Sequence, residues 1–297
     1  MMKKFRLSLV TCLVLICSVM ILPSVARADI DARDYVAAPP GTDVLLWYYY
    51  NANGHQYYQD SKKASNEFDF KMNLGIFRYA HYFKTGSFTT FANLLVPFGD
   101  KSIAGSGAGG TETGSSGLGD VTVNAGIFLV NNPDSKRYLA LTEYATLPSG
   151  EYSHEKALNM GANRYAFKTE VGFTQGFGPG FFLDLAAAGQ FFTQNSDANS
   201  SGGKLQEAPL YSFNAHLSKD ITKDLYLSVG YLYHTNAKNS LDGSDQLHTD
   251  QIEHQVQVGT GYHFTPNFHG LVTYTSTVAS ENNVKYDMIG VRFMYAF

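Results

Sequence analysis

Cysteine is nearly absent: the chain has two in 297 residues, and both, Cys12 and Cys17, fall within the first 28 positions. Residues 29–297 therefore have no thiol chemistry, no disulfide and no cysteine-based metal site. Charge is sparse, at 16% Asp, Glu, Lys and Arg with a net of −4, so a nucleic-acid partner is not expected. Motifs for chemistry are missing as well. Gly105 to Gly119 is glycine-dense but lacks the Gly-Lys-Ser/Thr of a phosphate loop, and His154-Glu155 has no second histidine four residues on. Asp242, Gly243 and Asp245 supply too few acids for a calcium loop and read as a solvated turn. No Gly-x-Ser-x-Gly elbow is present. No catalytic residue, metal or cofactor is expected.

The one long apolar run, Leu7 to Leu22, follows Lys3, Lys4 and Arg6, ends at Pro23 and precedes Ala26-Arg27-Ala28. That is the order of a secretory signal peptide with an A-x-A cleavage site, expected over 1–28 with the mature chain starting at Asp29. A retained anchor is the competing reading, but the run is short and no stop-transfer segment follows. Losing this leader removes four basic residues and no acid, taking the net charge from −4 to −8.

Aromatics and glycine are abundant: 20 Tyr, 21 Phe and 28 Gly. They sit in short segments that alternate with period two, as strands with one apolar face require. In 164–175, Tyr165, Phe167, Thr169, Val171 and Phe173 oppose Lys168, Glu170, Gly172 and Thr174. In 252–264, Ile252, Val256, Val258, Tyr262 and Phe264 oppose Glu253, Gln255, Gln257, Gly259 and Gly261. Segments 118–130 and 225–235 behave alike, and no helical period of comparable length appears.

Extending the template predicts about twelve strands, at 42–50, 67–82, 87–97, 118–130, 137–147, 164–175, 181–194, 208–218, 225–236, 250–264, 268–279 and 284–297. The inward or outward parity is open in the second strand, where a bulge near Ile76 to Tyr79 would swap the faces, and in the fifth, where Glu143 interrupts the apolar row. Connections alternate between long polar stretches (51–66, 98–117, 148–163, 195–207, 237–249) and short turns. Long outer loops and short periplasmic turns are the layout of an all-β, antiparallel up-and-down transmembrane barrel, here 42–297, in the outer membrane of a Gram-negative bacterium. A secreted β-sandwich also alternates, but does not explain the loop lengths or the aromatic last strand. Residues 29–41 form an N-terminal segment, either a plug inside the barrel or a periplasmic extension.

Expected partners are outer-membrane lipid and the assembly machinery, the latter through a terminal row of Phe293, Tyr295 and Phe297 on one face. The inward face carries Lys168, Glu170, Asp184, Glu253 and Arg292, which either select solutes or neutralise one another in the wall. Phe128, Phe182, Phe192 and Leu232 share that face and suit a greasy, stacking route in a narrow barrel. A channel for small apolar or aromatic solutes, a barrel enzyme acting on lipid, and a structural or adhesive barrel are the three functional classes left.

Several stretches carry a family resemblance: Arg33-Asp34-Tyr35, Pro39-Pro40-Gly41-Thr42, Arg78 to Phe83, Pro97-Phe98-Gly99, Ser116 to Asp120, Leu147 to Tyr152, and Asn159 to Arg164. With these the chain resembles an outer-membrane transporter family associated with the meta-cleavage (MetA) pathway of phenol degradation, over nearly all of 32–297. The resemblance implies a barrel and the passage of hydrophobic or aromatic compounds.

Overall fold

The structure, a computed structural model, describes residues 29–297 except 66, 109, 111 and 200; the expected leader lies outside the described residues. The period-two segments form twelve long strands: β1 (Asp43–Gln59), β2 (Asp69–Thr85), β3 (Phe88–Ala104), β4 (Thr122–Asn132), β5 (Arg137–Thr146), β6 (Ala166–Phe177), β7 (Phe181–Phe192), β8 (Leu210–Asp220), β9 (Leu225–Asn236), β10 (Gln251–Thr265), β11 (Phe268–Glu281) and β12 (Val284–Ala296). Each is antiparallel to its chain neighbours, and β12 returns to β1 over Val44↔Ala296 through Tyr57↔Val284. Closure removes every long edge, so the backbone is hydrogen-bonded within the sheet, as a wall in hydrocarbon must be.

Side chains sort by the same alternation. On β6, Phe167 and Val171 are exposed on the outside while Lys168, Glu170 and Thr174 are buried inside. The outer surface is a continuous apolar band that includes Leu45, Phe77, Leu94, Val229, Val258, Val272 and Ile289. At the end with short turns the band finishes in stacked rings: Phe177–Phe181 (5.6 Å), Phe264–Phe268 (5.1 Å), Phe268–Phe293 (5.9 Å) and Trp47–Phe293 (6.1 Å). These rings form an interfacial girdle.

The first three strands, 17 residues each, outrun the roughly 10 that a tilted strand needs to cross a bilayer. Their far ends therefore continue the wall past the membrane, into the stretches 51–66 and 98–117 whose composition predicts loops. A strand at Lys62–Ser65 pairs back on β1, and another at Thr113–Leu118 pairs back on β3. A hairpin of Ser240–Leu241 and Ser244–Asp245 turns through Asp242 and Gly243, both at positive φ, and pairs with Leu205–Gln206. The open parities resolve without swapped faces. β2 pairs with β1 and β3 in unbroken register, pointing Ile76 and Arg78 inward and Phe77 and Tyr79 outward. On β5, Glu143 faces out and accepts hydrogen bonds from Thr169 Oγ1 at 2.8 and 2.9 Å. Register shifts fall instead at Gly54/Gln56 on β1, Phe128/Val130 on β4, and His254/Gln255 and His263/Thr265 on β10.

Candidate functional site

The barrel interior is occupied from both ends, leaving a chamber between. From the end with short turns comes the N-terminal segment, tied to the wall where Gly41 N donates to Tyr82 O (2.7 Å) and Tyr82 N to Thr42 O (2.9 Å). Ile30, Ala32 and Tyr35 are buried. Arg33 takes a positive φ of 71° within a turn closed by Asp34 N→Asp31 O (3.3 Å) and Val36 N→Arg33 O (3.1 Å). An arginine holds that conformation only where its surroundings compensate. Here its backbone N donates to Asp184 Oδ2 (3.0 Å), its Nε to Ser218 Oγ (3.0 Å), and its Nη2 pairs with Asp220 (2.7 Å). The guanidinium also lies over the rings of Phe182 (4.3 Å) and Tyr226 (4.1 Å).

The rest of the segment finds the remaining wall charges. Arg292 Nη1 meets Asp34 at 2.5 Å and Asp31 at 3.5 Å. Asp29 Oδ1 pairs with His234 Nε2 (2.9 Å) and accepts from Asn214 Nδ2 (3.2 Å). Tyr35 donates its hydroxyl to Glu170 Oε1 (2.6 Å), which also accepts from Tyr144 (2.9 Å), while Lys168 Nζ donates to Glu170 Oε2 (3.0 Å). Tyr35 seats against Gly172, where a Cβ would collide with its ring.

From the other end, the connection between β5 and β6 folds across the opening. Asp120 anchors both of its limbs by accepting from Gly150 N (2.8 Å) and Ala162 N (2.7 Å). Its tip inserts Leu158 into an apolar cluster with Ala52 and Tyr57 of β1, Phe70 of β2, Ile103 of β3 and Val284 of β12. Burying that leucine contributes about 1.5–3 kcal/mol to holding the connection in place. The flank is tied to the β7–β8 connection: His154 pairs with Asp197 (2.9 Å), Tyr152 donates to Asp197 O (2.7 Å), and Arg164 pairs with Glu207. The hydrogen bond to Asp197 raises the His154 pKa, with the aspartate's charge acting in the same direction. Burial raises that of Asp120 against the pull of its backbone donors.

Between the two closures lies a chamber with about 1320 Å³ of atom-free space, part of it open to solvent. Its β1–β3 wall presents Tyr48, Tyr50, Leu74, Ile76 and Leu95 around the guanidinium of Arg78, and β6, β7, β10 and β11 add the polar Lys168, Gln190, Gln255, Gln257 and Thr275.

The inward candidates separate on this geometry. Lys168 and Leu232 line the chamber. Glu170, Asp184 and Arg292 are engaged by the N-terminal segment. Glu253 is buried among Gln255 Nε2 (3.1 Å), Thr277 Oγ1 (3.3 Å) and His234 Nδ1 (3.9 Å). Phe128 is buried in a cluster with Ile30, Tyr35 and Phe91, Phe182 lies under Arg33, and Phe192 under Arg164 (5.1 Å). Phe293, Tyr295 and Phe297 face outward beside the seam, and Phe297 exchanges two backbone hydrogen bonds with Asp43 (2.9 and 3.0 Å). Reading the sequence missed Asp29, Asp31, Arg33 and Asp34 as partners of the wall, and Leu158 as the tip of the outer closure. The only signal was charge concentrated in a short segment before a proline pair.

Among solved structures, the chain is similar to an outer-membrane channel from Pseudomonas putida F1, with TM-score 0.85 and 25% identity over 91% of this chain and 100% of that one. The β-domain of the Bordetella autotransporter BrkA (TM-score 0.55, 12% identity, 87% of this chain and 100% of that one) shares the fold. So does the transport unit of the autotransporter AIDA-I from Escherichia coli (TM-score 0.51, 9% identity, 92% and 94%). Comparison with curated proteins gives no match. The family model described as "Putative MetA-pathway of phenol degradation" matches residues 54–293, and with that span inside a closed twelve-stranded barrel the chain belongs to this family of outer-membrane proteins.

Proposed function

We propose that this barrel is a passive channel for small hydrophobic, chiefly aromatic, solutes, and that its wall residues perform no chemistry. The observation that carries the reading is the chamber, closed at one end by the N-terminal plug and at the other by the connection that seats Leu158 in an apolar cluster, with rings and aliphatic side chains around Arg78 on one part of its wall and amides on another. A flat ring can lie against Leu74, Ile76 and Tyr50 while a hydroxyl meets Gln255 or Gln257. Similarity to the Pseudomonas putida channel and the family's link to phenol degradation support the solute class. Asp184, Glu170 and Arg292 serve in this reading as docking points for the plug, whose release widens the path.

Proteoliposomes containing the protein should pass phenol- or toluene-like solutes faster than sugars of similar mass, without energy input or chemical change in the solute. Equal permeability to both classes rejects the selectivity. Permeability no greater than that of empty liposomes rejects the channel, and lipid hydrolysis by the pure protein would make it an enzyme.

A further inference from the structure

Under the lid is a second, smaller cavity. It lies between the β5–β6 connection, the β7–β8 connection and the outer end of β3, and has about 630 Å³ of atom-free space, part of it open to solvent. Its lining joins three cations, Lys101, Lys156 and Arg164, to an apolar floor of Leu158, Met160 and Leu205 and the ring of Tyr152. Two acids bear on them. Glu207 pairs with Arg164, and Asp120, whose charge acts on Lys101 and Arg164, spends its oxygens on the two backbone amides of the lid.

Lys101 is the exception. It is 5% exposed, and among the described residues no hydrogen-bond or ion-pair acceptor reaches its ammonium. Lys101 lines the cavity and its ammonium has no counter-ion within hydrogen-bond reach, so an anion brought in from outside completes the site. The nearby apolar lining suits a ring or short hydrocarbon attached to that anion, and the chemistry shared by the two halves is that of a small carboxylic acid.

We infer that this cavity binds the carboxylate of a small aromatic acid, with Lys101 as the principal counter-ion, Lys156 at the entrance, and Leu158, Met160 and Leu205 against the ring. The inference rests on the channel reading only for where the acid goes next. Leu158 lines this cavity and also plugs the apolar cluster of the lid, so an occupant presses on the side chain that holds the lid shut.

Equilibrium dialysis of the full-length barrel in detergent, with benzoate and the neutral benzyl alcohol as probes, tests the site. Benzoate should be retained on the order of tenfold more tightly than benzyl alcohol, the scale of one charge-assisted hydrogen bond. Lys101→Met should bring benzoate down to the alcohol's level without changing the alcohol. Heat-modifiable migration reports whether that variant has folded. Should it not fold, Lys156→Gln at the exposed entrance should still weaken benzoate several-fold. Equal retention of the two probes by the unaltered protein, or benzoate retention indifferent to both substitutions, overturns the site. Inorganic phosphate displacing benzoate at equal concentration would make it a general anion site and overturn the aromatic part. Benzoate held through Lys101 by a barrel that passes no solute would sink the channel reading and leave the site standing, whereas flux with no Lys101-dependent binding would do the reverse.

Discussion

The hydroxyl of Tyr35 donates to Glu170 Oε1 at 2.6 Å, joining two residues 135 positions apart across the barrel interior. This contact is one of several that couple the N-terminal segment to the wall. Tyr35→Phe keeps the ring against Gly172 and removes only the hydrogen bond, so docking should weaken by about 1.5–3 kcal/mol, the range for a charged acceptor. Gly172→Ala evicts the ring itself and should have the larger effect. Single-channel recording is expected to show longer or larger openings in the order Gly172→Ala, Tyr35→Phe, unaltered protein. Identical conductance in all three would remove the segment from control of the path.

Lys168 and Glu170 form a buried pair at 3.0 Å, with the ammonium also 4.0 Å from the centre of the Tyr144 ring. Lys168→Met leaves a carboxylate that only tyrosine hydroxyls satisfy, and should cost about 3 kcal/mol in a urea unfolding series. Exchanging both residues, for Met and Gln, should cost less than the single change. A double variant at the sum of the two singles would show that they are independent.

The lid carries its own pH dependence. Asp197 raises the folded-state pKa of His154, so the ion pair contributes fully below the unfolded histidine value, near 6.5, and is lost as pH rises through the raised folded value. The lid should therefore be held more firmly at pH 5 than at pH 9, and openings should grow more frequent with rising pH. Asp197→Asn should flatten that profile. An unchanged slope in the variant would place the sensitivity elsewhere.

Leu158→Ala should cost the lid about 2–4 kcal/mol of packing and raise flux, while the amount of barrel inserted stays the same. Flux assay and outer-membrane fractionation, run on the same preparation, separate the two effects.

Deleting Phe297 removes both backbone hydrogen bonds to Asp43 and an outward ring stacked on Tyr295 at 6.0 Å. The seam then starts with an unpaired edge, and less heat-modifiable barrel should reach the membrane. Normal levels would rule out a role for the last residue in assembly.

The wall was legible in the sequence because lipid on one side and a polar interior on the other impose a strict period of two, as in Phe167 to Thr174. The outer ends of β1 to β3 were not. Past Tyr50 the chain reads Asn-Ala-Asn-Gly-His-Gln, and a strand in water has no apolar row to betray it. The inward set could be named from parity, but not what it would meet. Arg33 lies 151 residues from Asp184, and Asp34 lies 258 from Arg292, and neither separation leaves a local pattern. Leu158 stands with Met160 in a largely polar connection, with no period to mark either, and only the cluster it enters on the far wall distinguishes it.

The N-terminal segment leaves the wall at Gly41 and Thr42, immediately before Asp43, the residue that closes the seam with Phe297. The tether therefore sits on the rim, and no strand has to pass over the segment for it to reach the interior. Sheet closure and docking of residues 29–36 are topologically separate events: a finished barrel can receive or release its own leading end through the open mouth without breaking a ladder hydrogen bond. A truncation that removes 29–36 thus leaves the ladder intact from β1 to β12, and what it takes away is the set of partners that Asp184, Glu170 and Arg292 have inside the finished wall.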